Sequence, residues 1–279
     1  MLGRIALDLT KDVTQTGRVQ VAIQLAMRHK AEVIGICTDP PMPGYLYDEA
    51  GIVQQVLSKL QEQFAREKSE IKAYFLQQLE SAGVKGECRM PQGPAEEALA
   101  VHARSCDLLI MSQTDMAQSN WSIPPSVVDS VITTAGRPVL VVPYVDDARQ
   151  PLGQHVLLCW DYGRRAARAL ADAAPLLRTA SKLTLLTVDP QPDMLQALDI
   201  QPSDLPAYCA AHGYPVPKTV HATSEGVGIG NVILNVASDS GCDMIVMGLY
   251  NRSRVREWIL GGTSKTLLQS MTVPILFAH

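Results

Sequence analysis

Ser105-Cys106-Asp107-Leu108-Leu109-Ile110-Met111 recurs in the same chain as Gly241-Cys242-Asp243-Met244-Ile245-Val246-Met247. In each copy a Cys-Asp pair leads into an apolar run of the kind that forms a strand buried on both faces. Downstream, Pro138-Val-Leu-Val-Val-Pro143 matches Pro274-Ile-Leu-Phe-Ala-His279. Upstream, Glu32-Val-Ile-Gly-Ile-Cys-Thr-Asp39-Pro40 matches Lys182-Leu-Thr-Leu-Leu-Thr-Val-Asp189-Pro190. Each of these strands stops at Asp-Pro, because proline has no N–H to give to a ladder. The halves open on Arg4-Ile-Ala-Leu-Asp8 and His155-Val-Leu-Leu-Cys-Trp-Asp161, each an apolar strand that runs to an Asp. A segment of helical period follows both, Thr16 to His29 and Arg164 to Thr179.

The separation between partners is constant for the last two pairs and larger for those before, so one half has a shortened connection between its second and third strands. There the first half carries a long amphipathic helix, about Ile52 to Ala82. The second has a Pro-rich link and a short helical stretch near Asp204 to His212. Each half thus reads as five strands alternating with helices. This is an α/β chain of two tandem five-stranded parallel-sheet, Rossmann-like domains, covered by helices on both faces. A polar linker with Asp146, Asp147 and Pro151 separates residues 1–145 from residues 153–279.

The bulk composition fits. The 279 residues are 47% hydrophobic, 19% charged and only 5% aromatic, with a net charge of −4. That balance speaks against a nucleic-acid partner, which needs a surplus of Lys and Arg to displace counterions. Six cysteines without a C-x-x-C pair suit a reducing compartment. Asp8, Lys11 and Asp12 interrupt the apolar start, no run is long enough for a membrane, and the expected location is cytoplasmic.

In open parallel sheets, ligands lie beyond the carboxyl ends of the strands. In the second half that edge includes Asp161, Val188, the loop from Thr223 to Gly230 and the long segment from Gly248 to Ser264. The last combines Gly248 after a strand, the cations Arg252, Arg254, Arg256 and Lys265, and Gly261-Gly262-Thr263-Ser264 opening a helix. Free N–H groups at a helix start favour an anion, so these are parts of a phosphate cradle.

These residues resemble the universal stress proteins, whose ATP-binding members carry Gly-x2-Gly-x9-Gly followed by Ser or Thr. Gly248, Asn251 and Gly261 stand at that spacing, with Asn251 replacing the second glycine and Gly262 in the hydroxyl position. Thr263 or Ser264 is placed to supply a displaced hydroxyl. The resemblance implies an adenine nucleotide (ATP, ADP or AMP) as ligand, with Asp161 and Val188 on the adenine side. It also implies pairing through last strands. Val139 to Val142 would then pair with Ile275 to Phe277 inside one chain, an internal pseudo-dimer, with a homodimer of the whole chain still open. In the first half Ser112, Asp115 and Pro125 occupy the glycine positions, with Ser126 in the hydroxyl position. An acidic residue and a proline oppose a phosphate cradle there, while Asp8 and Thr38 are expected on the adenine side.

The reading is therefore a stress-response protein that senses adenine nucleotides mainly through its second half. A ligand-free interaction module is the alternative. No general base stands beside the cradle, so it reads as a binding protein, at most a weak ATPase. Ser264-Lys265-Thr266 lacks the glycines of a P-loop, and Gly226-x-Gly228-x-Gly230 misplaces the third glycine of a dinucleotide fingerprint. Cys209 and His212 lack a second ligand pair for a metal, and no G-x-S-x-G elbow occurs.

Overall fold

The computed structural model describes residues 1–10, 17–38, 52–114, 126–144, 151–249 and 262–279. The first half runs β1 (Arg4–Asp8), α1 (Arg18–His29), β2 (Glu32–Ile36), α2 (Ile52–Ser81), β3 (Gly86–Arg89), α3 (Ala95–Ala103), β4 (Leu108–Ser112), α4 (Ser126–Thr134) and β5 (Val139–Val142). The second runs β6 (His155–Cys159), α5 (Arg164–Asp172), α6 (Ala174–Leu177), β7 (Lys182–Val188), α7 (Pro192–Ala197) and α8 (Asp204–Ala211). It continues with β8 (Lys218–Ala222), α9 (Ile229–Asp239), β9 (Met244–Gly248), α10 (Gly262–Ser270) and β10 (Ile275–Ala278).

Both halves wind their strands in the same order, and together they form one ten-stranded sheet, β3-β2-β1-β4-β5-β10-β9-β6-β7-β8. Strand pairs within a half are parallel. The junction is antiparallel, with Ile275 opposite Val141, Leu276 opposite Leu140 and Phe277 opposite Val139. The pairing of last strands expected from the sequence is thus made within the chain. Alternation along these strands sends Leu140, Val142, Leu276 and Ala278 into the core on one face and Val139, Val141, Ile275 and Phe277 into the core on the other. All eight are buried, so both apolar layers run through the junction without a polar break.

The repeated Cys-Asp pair has a structural reason. Asp243 accepts from the backbone N–H groups of Gly153 (2.7 Å), Gln154 (2.8 Å) and His155 (3.0 Å), pinning the start of β6 against β9. Asp107 does the same for Gly3 (2.7 Å) and Arg4 (3.0 Å) at the start of β1. Charge-assisted bonds of this kind are among the stronger ones available to a backbone.

Three expectations change in detail. The helix expected from Arg164 to Thr179 is two helices, α5 and α6. Pro175, within the first turn of α6, has no N–H with which to continue α5. The Pro-rich link of the second half holds a further short helix, α7, which begins on Pro192, where the missing N–H has no intrahelical partner to lose. Third, strand register shifts the match between opening strands. Asp8 pairs with Ile36 as Cys159 pairs with Leu186. Leu9 N donates to Ile36 O, and Trp160 N to Leu186 O, both at 2.8 Å. Cys159 is therefore the counterpart of Asp8, and Thr10 is the counterpart of Asp161.

Candidate functional site

At the carboxyl ends of β6, β7 and β9, where strand order reverses, the second half has a cavity of about 1000 Å3. Its lining includes Asp161, Val188, Gly248 and Thr263, four residues expected from sequence to act together. Arg164 and Arg165 bring positive charge to the rim, and Leu186, Ile229, Ile233 and Met247 give apolar walls. Asn251 and Gly261 lie outside the described residues, as do Arg252, Arg254 and Arg256.

Asp161 lies two residues beyond β6 and is exposed. Its Oδ1 accepts from Gly163 N at 2.8 Å, which fixes the carboxylate at the cavity wall. A side chain on Gly163 would meet that oxygen at 2.8 Å, so the turn needs glycine there. Val188 is the last residue of β7 and partly buried. The next residue, Asp189, has a positive φ of 50°. Its carboxylate takes Ser224 N (2.8 Å) and Ser224 Oγ (2.5 Å), tying the end of β7 to the loop before α9.

Gly248 has a different reason from the one expected. Where its Cβ would stand lie the carbonyl carbon and oxygen of Arg165, at 2.5 and 2.6 Å. The missing side chain is what lets α5 lie against the end of β9. Gly262, at the first position of α10, is exposed with open space around it. Thr263 is partly exposed to the cavity, and Ser264 is fully buried with no hydrogen-bond partner for its Oγ among the described residues. Of these three consecutive residues Thr263 lines the cavity, and Gly262 and Ser264 do not. In the loop before α9, Gly226 and Gly228 take positive φ values of 74° and 86°, as a turn opening a helix requires. Gly230 lets α9 approach Thr266 of α10.

Sequence reasoning passed over Cys159, which also lines the cavity. Burial first, then Cys242 and Asp161, push its thiol up to about 12, so it is a neutral apolar wall and not a nucleophile. Among the described residues no group of His, Cys, Asp and Glu is arranged to hold a metal ion.

At the equivalent edge of the first half, the described side chains and backbone bond to one another. Thr10 and Thr38, at the positions of Asp161 and Val188, share a hydrogen bond between hydroxyls at 2.7 Å. Asp8 is buried, and its Oδ1 accepts from Thr10 N at 2.8 Å. Buried Arg18 donates to Thr10 O at 2.6 Å. Asp115 and Pro125 lie outside the described residues.

The description of the universal stress protein family matches residues 153–279. The second half thus carries a match to that family. Strands β6 to β10, the cavity and α10 all fall within that match. Comparison with solved structures extends the likeness in fold across both halves. A universal stress protein from Archaeoglobus fulgidus DSM 4304 aligns over 98% of this chain and 95% of its own, with a TM-score of 0.73 and 18% identity. A protein from Pseudomonas aeruginosa UCBPP-PA14 assigned to the same family aligns over 99% and 93%, with a TM-score of 0.63 and 14% identity. The cytoplasmic domain of a prokaryotic cation chloride cotransporter aligns over 99% and 95%, with a TM-score of 0.56 and 12% identity. The comparison with curated protein sequences gives no match. The fold thus serves unlike settings, and function has to be argued from the site.

Proposed function

We propose that this chain binds an adenine nucleotide in the second-half cavity and acts as a sensor or regulator in a stress response. One observation carries the reading. Asp161, Val188, Gly248 and Thr263, far apart in sequence, line one cavity at the switch point of the sheet. The start of α10 lies at the same place, and its free N–H groups favour a phosphate. Arg164 and Arg165 supply further attraction for an anion. Asp161 retains an oxygen beyond the one bonded to Gly163, available to accept from an exocyclic amine.

On this reading residues 1–145 and 153–279 are two domains of unequal role, with the ligand in the second. The test is mass spectrometry of small molecules released from the purified chain, followed by calorimetric titration with ATP, ADP and AMP. Saturable heat from at least one is expected. No co-purified nucleotide and no heat at high micromolar ligand would sink the proposal.

A second reading, a ligand-free interaction module, draws on the first half. There the bond between Thr10 and Thr38 occupies the positions that face the cavity in the second. That reading predicts a protein partner and no nucleotide. Either way the chain acts by binding, in a reducing, cytoplasmic setting to which its six cysteines, none in a disulfide, are suited.

A further inference from the structure

Tyr162 lines the cavity between Asp161 and Gly163, with a φ of 60°. Among the described residues only Lys30, Asp189 and Asp199 are other non-glycine residues in that left-handed region, which side chains other than Asn and Asp seldom adopt. Asp189 lines the cavity too, but its conformation lets its carboxylate clasp Ser224. The Tyr162 hydroxyl makes no hydrogen bond among the described residues, so its backbone strain serves no such clasp.

What the conformation gives Tyr162 is a position. The bond from Gly163 N to Asp161 Oδ1 closes the turn around it. Its ring meets Trp160 edge to face, with centroids 5.9 Å apart and planes at 69°. Trp160 is itself packed against the core, and its Nε1 is buried, so the support is fixed. Leu186, Val188 and Ile229 add aliphatic walls to the same cavity. An aromatic ring held in a cavity with aliphatic walls suits a flat ligand ring.

Resting on the nucleotide reading, we propose that Tyr162 is the specificity-determining platform of the cavity, stacking on the planar base of the ligand while Trp160 holds it in place. Stacking of this kind accepts any base, so Tyr162 selects ligands that carry a base over phosphates that lack one.

The test is calorimetric titration of the full chain and of Tyr162→Phe, Tyr162→Leu and Tyr162→Gly with ATP and with inorganic tripolyphosphate, beside thermal melts. Tyr162→Phe is expected to bind ATP within about twofold of the parent, and the Leu and Gly variants about tenfold more weakly. Any tripolyphosphate binding should be unchanged by all three. Tyr162→Gly should melt no lower than the parent, because glycine relieves the strain while abolishing the stack. A structural role would give the opposite pair, lower melting with affinity unchanged, and would overturn the inference. If parent and Tyr162→Gly bind ATP equally, the platform is refuted while the nucleotide reading stands. If the parent binds no ATP, both fall.

Discussion

Single residues set what this cavity admits. Gly248 and Gly262 read alike in sequence, as loop glycines near a phosphate, yet they answer to different constraints. Gly248 is filled by the backbone of Arg165, so Gly248→Ala must displace α5 and should cost about 1–3 kcal/mol in chemical denaturation. Lost nucleotide affinity in that variant would therefore not report on phosphate contact. Gly262 has open space, so Gly262→Ser should be accepted without loss of stability. By placing a hydroxyl at the start of α10, it should raise ATP affinity several-fold in titration, by about the 1 kcal/mol of one hydrogen bond. The residues of the site were largely legible because their types are demanding: an Asp after a strand, a glycine at a strand end, hydroxyls at a helix start. The match of Asp8 to Asp161 was not legible. Two apolar strands can slide by two residues without changing which face is buried, and only the hydrogen-bonded register distinguishes the alternatives.

Among the elements, α2 shows how periodicity reveals a helix and leaves its purpose open. Its 30 residues span about 45 Å, far beyond the four-residue β3 that follows it. Its anchor is near the C-terminal end, where Phe75 and Leu79 are buried and Phe75 fills the space above Gly35. Phe75→Ala should cost about 3–5 kcal/mol, read as a lowered denaturation midpoint. At the end of α1, buried His29 has no partner for its Nε2 among the described residues. Burial first, then Arg28 and the N-terminal ammonium, hold its pKa below the ordinary 6.5. The unfolded chain therefore binds the proton more readily, and the stability this group contributes is present above about pH 6.5 and lost as pH falls. His102 shifts in the same direction, through burial and Arg89. The melting temperature should drop between pH 7 and pH 5, and His29→Leu should flatten that slope. The breaks around α6 and α7 were harder to foresee, since proline both ends and begins helices.

Across the whole molecule, the antiparallel β5–β10 junction converts two repeats into one sheet. Residues 153–279 expressed alone would keep β10 paired with β9 but leave its other, β5-facing edge open on an apolar strand, a template for association. That fragment should form dimers or larger species by light scattering, whereas a monodisperse monomer would show the junction to be dispensable. The sequence by itself determined the repeat, the alternation of strand and helix, and the edge at which a ligand would lie. Those follow from local period and residue type, which neighbouring side chains impose along the chain. Only the tertiary structure decided that Asp161, Val188, Gly248 and Thr263 share a cavity while Thr10 and Thr38 bond to each other in the other half. Register, side-chain direction and the packing of helices on the sheet arise from contacts between distant segments, and no local pattern encodes them.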